Sequence, residues 1–145
     1  MREKTVKRYY CDHCSKGGFR KPDMVQHELT CTRNPKRACW LCESGAGGFD
    51  YLAIATEMKK RSDVTFVDSE SHAGASEDCH CTSSKDAIKW LMEQVVQCPA
   101  CALSVLRMGK IFAFDVFVYK DEVQNWHKER ADEIRDLCGG NMGIT

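Results

Sequence analysis

Residues 9–31 read YYCDHCSKGGFRKPDMVQHELTC. Two residues separate Cys11 from Cys14, twelve separate Cys14 from His27, and three separate His27 from Cys31. A pair of cysteines so close sits on one tight turn, and a His and a Cys four positions apart project from one face of a helix. The two pairs can therefore converge on a single ion, and three sulfurs with one imidazole nitrogen in tetrahedral array suit zinc. Pro22 falls near the start of the expected helix, where its missing N–H is not needed.

The remaining cysteines extend the pattern. The 145-residue chain holds ten, and Cys39-x2-Cys42 with Cys98-x2-Cys101 repeats the paired spacing across an intervening 55 residues. The basic start MREKTVKRYY leads into no apolar run, and the longest apolar stretch, Ile111 to Tyr119, contains Asp115 and is too short for a bilayer. An intracellular protein of cytoplasm or nucleus is expected, without membrane insertion, and in a reducing compartment such pairs read as metal ligands rather than disulfides. Cys39, Cys42, Cys98 and Cys101 are accordingly assigned to a second zinc, with rubredoxin-like iron the alternative that four thiolates also allow. Cys79 and Cys81, with His72 and His80 nearby, either replace one of these ligands or build a third site. The cofactor expectation is two zinc ions, or three if this last pair ligates.

Residues 9–31 resemble the classical zinc-finger family in its Cys-Cys-His-Cys variant. Tyr9, Phe19 and Met24 stand close to that family's small core positions, Phe19 one place later than the usual aromatic. The resemblance implies a ββα unit whose helix presents Arg20, Asp23 and Gln26 to bases, with Lys21 beside them. Charge points the same way. Residues 1–37 carry ten Lys/Arg against four Asp/Glu, and residues 38–145 carry eleven against seventeen, so a chain of zero net charge divides into a +6 arm and a −6 body. Lys4, Lys7, Arg8, Lys16, Arg20, Lys21, Arg33, Lys36 and Arg37 would face phosphates, while the acidic body would repel them and meet a protein partner.

The connector TRNPKR at 32–37 gives the expected division into a basic zinc finger, residues 1–37, and a zinc-stabilised body, residues 38–145. After the glycine-rich turn at 45–48, Phe49, Leu52 and Ala53 beside Tyr51, Ile54, Ala55 and Met58 predict a helix with two buried stripes. DVTFVD at 63–68 predicts a strand, and the polar stretch to Ser84 a loop. Ser84 caps a helix predicted over 85–97, which delivers CPAC; Ile111–Tyr119 is the strongest predicted strand; Asp121 caps a last helix ended by Gly139 and Gly140. Trp40 is expected to pack over its site, or failing that to offer an exposed stacking surface, Trp90 and Trp126 to join the core, and Cys138 to be an ordinary thiol.

The fold expected is α+β, a ββα finger followed by a compact zinc-ribbon or treble-clef-like body. Catalysis finds little footing. Four protein ligands per ion leave no position for an activated water, CPAC lacks the preceding strand of a thioredoxin-like redox pair, and no His-x-Glu precedes a Pro-Cys-x2-Cys as a zinc deaminase requires. No small-molecule substrate is implied. The function expected is a zinc-binding, nucleic-acid-associated accessory or regulatory protein with structural metal; the alternative is a zinc-stabilised interaction or assembly component that never touches nucleic acid.

Overall fold

The computed structural model describes residues 5–45, 47–67 and 79–139. Lys4, His72, Gly140 and the Cys138 side chain, all named above, lie outside that description. The fold is α+β, with five helices and two small sheets among the described residues.

The N-terminal unit is built as the spacing requires. β1 (Tyr9–Tyr10) pairs antiparallel with β2 (Gly17–Gly18), Tyr9 opposite Gly18, and α1 (Lys21–Thr30) follows with Pro22 in its first turn. Its core is minimal: Cys11, Met24 and Cys31 are buried, with Tyr9 and Cys14 packed against them. Phe19 departs from expectation. It is 61% exposed, and its ring lies under the Arg8 guanidinium at 5.0 Å instead of entering the core. Cys11, Met24 and Cys31 fill the small core without it.

The body is organised around α4 (Pro99–Gly109), a helix apolar on nearly every side: Ala100, Cys101, Ala102, Val105 and Leu106 are all buried. A helix without a polar stripe belongs in the interior. The buried Ser104 hydroxyl is satisfied by donating to the Ala100 carbonyl at 2.9 Å. α2 (Tyr51–Lys59), capped by Asp50 accepting from the Ala53 N–H at 3.0 Å, packs on it through Tyr51, Ala55 and Met58. Only that stripe is buried; Leu52, on the second predicted stripe, is 51% exposed because α4 covers a single face. Gly109 sets the closeness of this packing, since a Cβ there would stand 2.8 Å from the Ala55 Cβ.

α3 (Lys85–Gln94) buries Ala87, Ile88 and Leu91 and is capped by Ser84, whose hydroxyl accepts from the Ala87 N–H. It stops three residues before its predicted end, because Val96 and Gln97 adopt positive φ of 52° and 57°. A second sheet lies alongside, in the order β3 (Thr65–Phe66), β4 (His80–Thr82), β5 (Ile111–Ala113); β3 and β4 are antiparallel, β4 and β5 parallel. β4 falls within the predicted loop. β5 is shorter than the predicted strand: Asp115 takes φ 53° and the Val116 N–H reaches back to the Phe114 carbonyl at 2.6 Å, an i to i+2 turn that ends the extended run.

α5 (Tyr119–Gly139) begins two residues before its predicted cap. Val123 and Trp126 pack on the body, as Trp90 does from α3, whereas Ile134 and Leu137 are 56% and 83% exposed. Among the described residues, no helix is long and apolar enough to cross a membrane.

Candidate metal centres

Cys11 lies just beyond β1 and Cys14 in the turn that follows, whose closure is marked by the Cys11 N–H donating to the Lys16 carbonyl at 3.0 Å. His27 and Cys31 come from the last turn and the C-cap of α1. The four ligand atoms all lie within 4.8 Å of one another, and Cys14 Sγ is 3.2 Å from His27 Nε2. Zinc with bonds of about 2.3 Å to sulfur and 2.0–2.1 Å to nitrogen separates two such ligands by roughly 3.6 Å in a tetrahedron, so the quartet needs little adjustment to close on an ion. Burial raises the Cys14 thiol, but the His27 hydrogen bond and the Lys16 backbone outweigh it and bring the group down to about 7. Cys31 is pushed up by burial.

The second quartet draws on more distant segments. Cys39 and Cys42 occupy a turn closed by the Cys39 N–H donating to the Ser44 carbonyl at 3.0 Å. Cys98 is the N-cap of α4 and Cys101 lies in its first turn, so that both sulfurs sit at the positive end of a helix dipole, which favours thiolate. The left-handed pair Val96 and Gln97 turns the chain from α3 into α4 and aims this helix start at the first turn. Four ligand atoms again lie within 4.8 Å of each other, with Cys39 Sγ to Cys98 Sγ and Cys42 Sγ to Cys101 Sγ both 3.7 Å. A disulfide needs about 2.05 Å, whereas two thiolates on one tetrahedral zinc stand about 3.8 Å apart. The sulfur spacing fits an ion. One pair thus comes from a turn and the other from a helix start.

Crowded sulfurs without a cation do not all ionise. Donation from Cys101 and Cys98 holds Cys39 far below the ordinary thiol range, while its proximity pushes Cys101 up to about 11, and Cys98, hydrogen-bonded to Cys101 and Cys39, is also driven up. A divalent ion removes this conflict by allowing all four to be thiolates.

Sequence reasoning missed two further residues of the second centre. Arg37, expected among the phosphate-facing cations, is only 1% exposed. Its Nη1 points at Cys101 Sγ at 3.7 Å and at the Ala100 carbonyl at 3.5 Å, its Nε donates to the Thr30 carbonyl at 3.4 Å, and the guanidinium lies 5.9 Å from the centre of the Tyr51 ring. The Tyr51 hydroxyl approaches Cys101 Sγ at 3.5 Å, and burial followed by that hydrogen bond raises its pKa. Burial opposes the Arg37 charge, and Cys39, Tyr51 and Cys101 together more than offset it. Four thiolates around a divalent ion leave two negative charges, so a cation two residues before Cys39 was the available signal.

Cys79 is buried and Cys81 Sγ lies 3.4 Å from Thr65 Oγ1 on the β4 edge facing β3. Neither joins a group of three or more metal-ligating side chains among the described residues. Arg20, Lys21, Asp23 and Gln26 all sit exposed at the start and outer side of α1, with Arg20 Nε 3.6 Å from Asp23 Oδ2 in a solvent-screened pair. Trp40 is 59% exposed and does not cover its site. CPAC is preceded by α3 and opens α4, with no strand leading into it.

Comparison with protein-family models, with curated proteins and with solved structures finds no match for the chain. The geometry of the two quartets therefore carries the functional reading by itself.

Proposed function

We propose that this is a zinc-binding accessory or regulatory factor that engages nucleic acid through its N-terminal ββα unit, a finger of the Cys-Cys-His-Cys type, with both zinc ions structural. The observation that carries this reading is the pairing of two closed four-ligand quartets with a cationic surface. Lys7, Arg8, Lys16, Arg20, Lys21, Arg33 and Lys36 are all exposed around the first quartet. Four protein ligands per ion leave no open position for hydrolytic chemistry, so the metal's contribution is folding free energy.

Cations on phosphates release counterions, and binding to duplex DNA should weaken with salt by a slope of about −0.9 per phosphate contacted. Converting Arg20 and Lys21 to glutamate should weaken binding to every sequence, whereas Gln26→Ala should matter at one base position, by roughly 1–3 kcal/mol. Absence of binding to DNA or RNA at low salt overturns the proposal. One observation favours the second reading, an assembly component: Tyr10, Phe19, Val25 and Leu29 leave apolar surface on the same unit, at 60%, 61%, 49% and 52% exposure. In that case the N-terminal unit and the acidic body both meet proteins, and the salt titration returns nothing.

A further inference from the structure

The body contributes 17 of the 21 acidic residues, yet among the described residues no Asp or Glu lines either of the two cavities that flank the junction with the N-terminal unit. The larger, about 650 Å3, is bordered by Arg33 from the connector and by Arg107 and Lys110 from the end of α4, over an apolar wall that includes Leu106, Phe112 and Phe117. The smaller, about 390 Å3, shares Arg33 and Arg107, reaches Lys16, and takes in the first quartet itself through Cys14, His27 and Cys31, so a bound ion fills its inner end and leaves the rim of Lys16, Thr32, Arg33 and Arg107. Arg107 is held in place by donating to the Thr32 hydroxyl at 2.7 Å, which draws the connector and the end of α4 together although 75 residues separate them. The rim of the smaller cavity and the mouth of the larger meet at their shared Arg33 and Arg107, which sets a lane of cations from the N-terminal unit toward an aromatic, apolar hollow on the body.

We propose that single-stranded nucleic acid follows this lane, its phosphates on Lys16, Arg33 and Arg107 and one unstacked base entering the larger cavity against Phe112 and Phe117. The inference rests on the nucleic-acid reading and extends it from the N-terminal unit to the body, which the charge sum had set aside. The cavity falls within the range of about 300–1,000 Å3 that encloses small ligands. Bases already paired in a duplex cannot enter such a hollow without being flipped out, whereas single strands offer unstacked bases at little cost. Spaced cations tracking a backbone, with aromatic rings for the bases, are what sequence-tolerant single-strand binding needs.

The test compares a fluorescent twelve-nucleotide oligothymidine with a duplex of the same length, on the zinc-loaded full chain at low salt. The single strand is expected to bind more tightly. Phe117→Leu keeps the apolar packing and removes the ring, so it should weaken single-strand binding by about tenfold while leaving duplex binding and the zinc count unchanged. Arg33→Glu should weaken single-strand binding at least as much. With 5-iodouracil in the oligonucleotide, photo-cross-links should map to the peptide containing Phe112 and Phe117. Cross-links confined to residues 5–31, or single-strand binding indifferent to both substitutions, overturn the lane and leave the nucleic-acid proposal standing. A free nucleoside monophosphate binding as well as the oligomer makes the cavity a small-ligand site and also overturns the lane. No binding of any nucleic acid overturns both.

Discussion

Arg37→Met isolates what the buried cation does for the second centre. Methionine fills much of the same space, so the change removes charge and hydrogen bonds without leaving a large void. The two contacts to carbonyl oxygens, at 3.4 and 3.5 Å, are longer than the 2.7–3.2 Å optimum for nitrogen to oxygen, while the third, at 3.7 Å, is to the larger Cys101 sulfur. The two to oxygen therefore sit at or below the lower end of the roughly 1.5–3 kcal/mol of a charge-assisted bond. Supporting groups of this kind usually change metal affinity by 10- to 100-fold, or about 1.4–2.8 kcal/mol, and the length of these contacts favours the smaller figure. The effect should be confined to one ion. In a Cys14→Ser background, where only the second centre holds zinc, chelator competition followed by native mass spectrometry should show about tenfold weaker retention in Arg37→Met. Arg37→Lys should fall between, since it restores the charge without the forked geometry. With both centres intact, the Thr30 carbonyl also loses its donor in Arg37→Met, so amide exchange at the end of α1 should quicken. Retention in Arg37→Met within threefold of the Arg37 protein would refute the role of this cation in balancing the site.

Three other outcomes are expected. Because Cys11, Met24 and Cys31 are the only buried core of the N-terminal unit among the described residues, His27→Ala should expose residues 9–31 to limited proteolysis while the body stays resistant; protection retained after chelation would mean the metal does not hold this segment. Cys39→Ser and Cys98→Ser should each release one zinc and abolish cooperative unfolding of the body, whereas Cys81→Ser should leave two zinc ions in the native mass spectrum. Gly109→Ala, whose new Cβ would meet Ala55 Cβ at 2.8 Å, should destabilise the body by about 1–3 kcal/mol in urea denaturation, and an unchanged midpoint would show that α2 can withdraw from α4 at little cost.

Ligand spacing was legible because it is local. A C-x2-C turn and a His-x3-Cys helix face are decided within a few residues, and both quartets come together from the cysteines that the spacing singled out. α4 was not legible: Ala100 to Leu106 is buried on almost every side, so its residues show no 3.6-residue alternation, and CPAC drew attention as a ligand pair rather than as a helix start. β4 was hidden for the opposite reason. Its three residues, His80–Thr82, carry no strand pattern of their own and are extended because β3 and β5 flank them. Phe112 and Phe114 showed the reverse error, since a period-two run of aromatics implies a strand that the Asp115 turn cuts off.

Charge was the feature least well read from the chain, because a sum over residues assigns each ion to a segment rather than to a surface. Arg37 was counted with the basic arm but is folded inward, where its charge faces the Cys39 thiolate and Cys101 instead of a polyanion. Arg107 and Lys110 were counted with the acidic body but stand beside Arg33 around one cavity. The arm therefore has one cation fewer to offer than its sequence suggests, and the body has two more on the side that adjoins the arm. At physiological salt a charge is felt over roughly 8 Å, so a polyanion at this junction senses the cations that line the two cavities more than the acidic residues toward the far end of α5. A charge that matters for binding is a local potential, and the contact between Arg107 and Thr32 creates it by bringing two oppositely charged halves of the chain together at their basic edges.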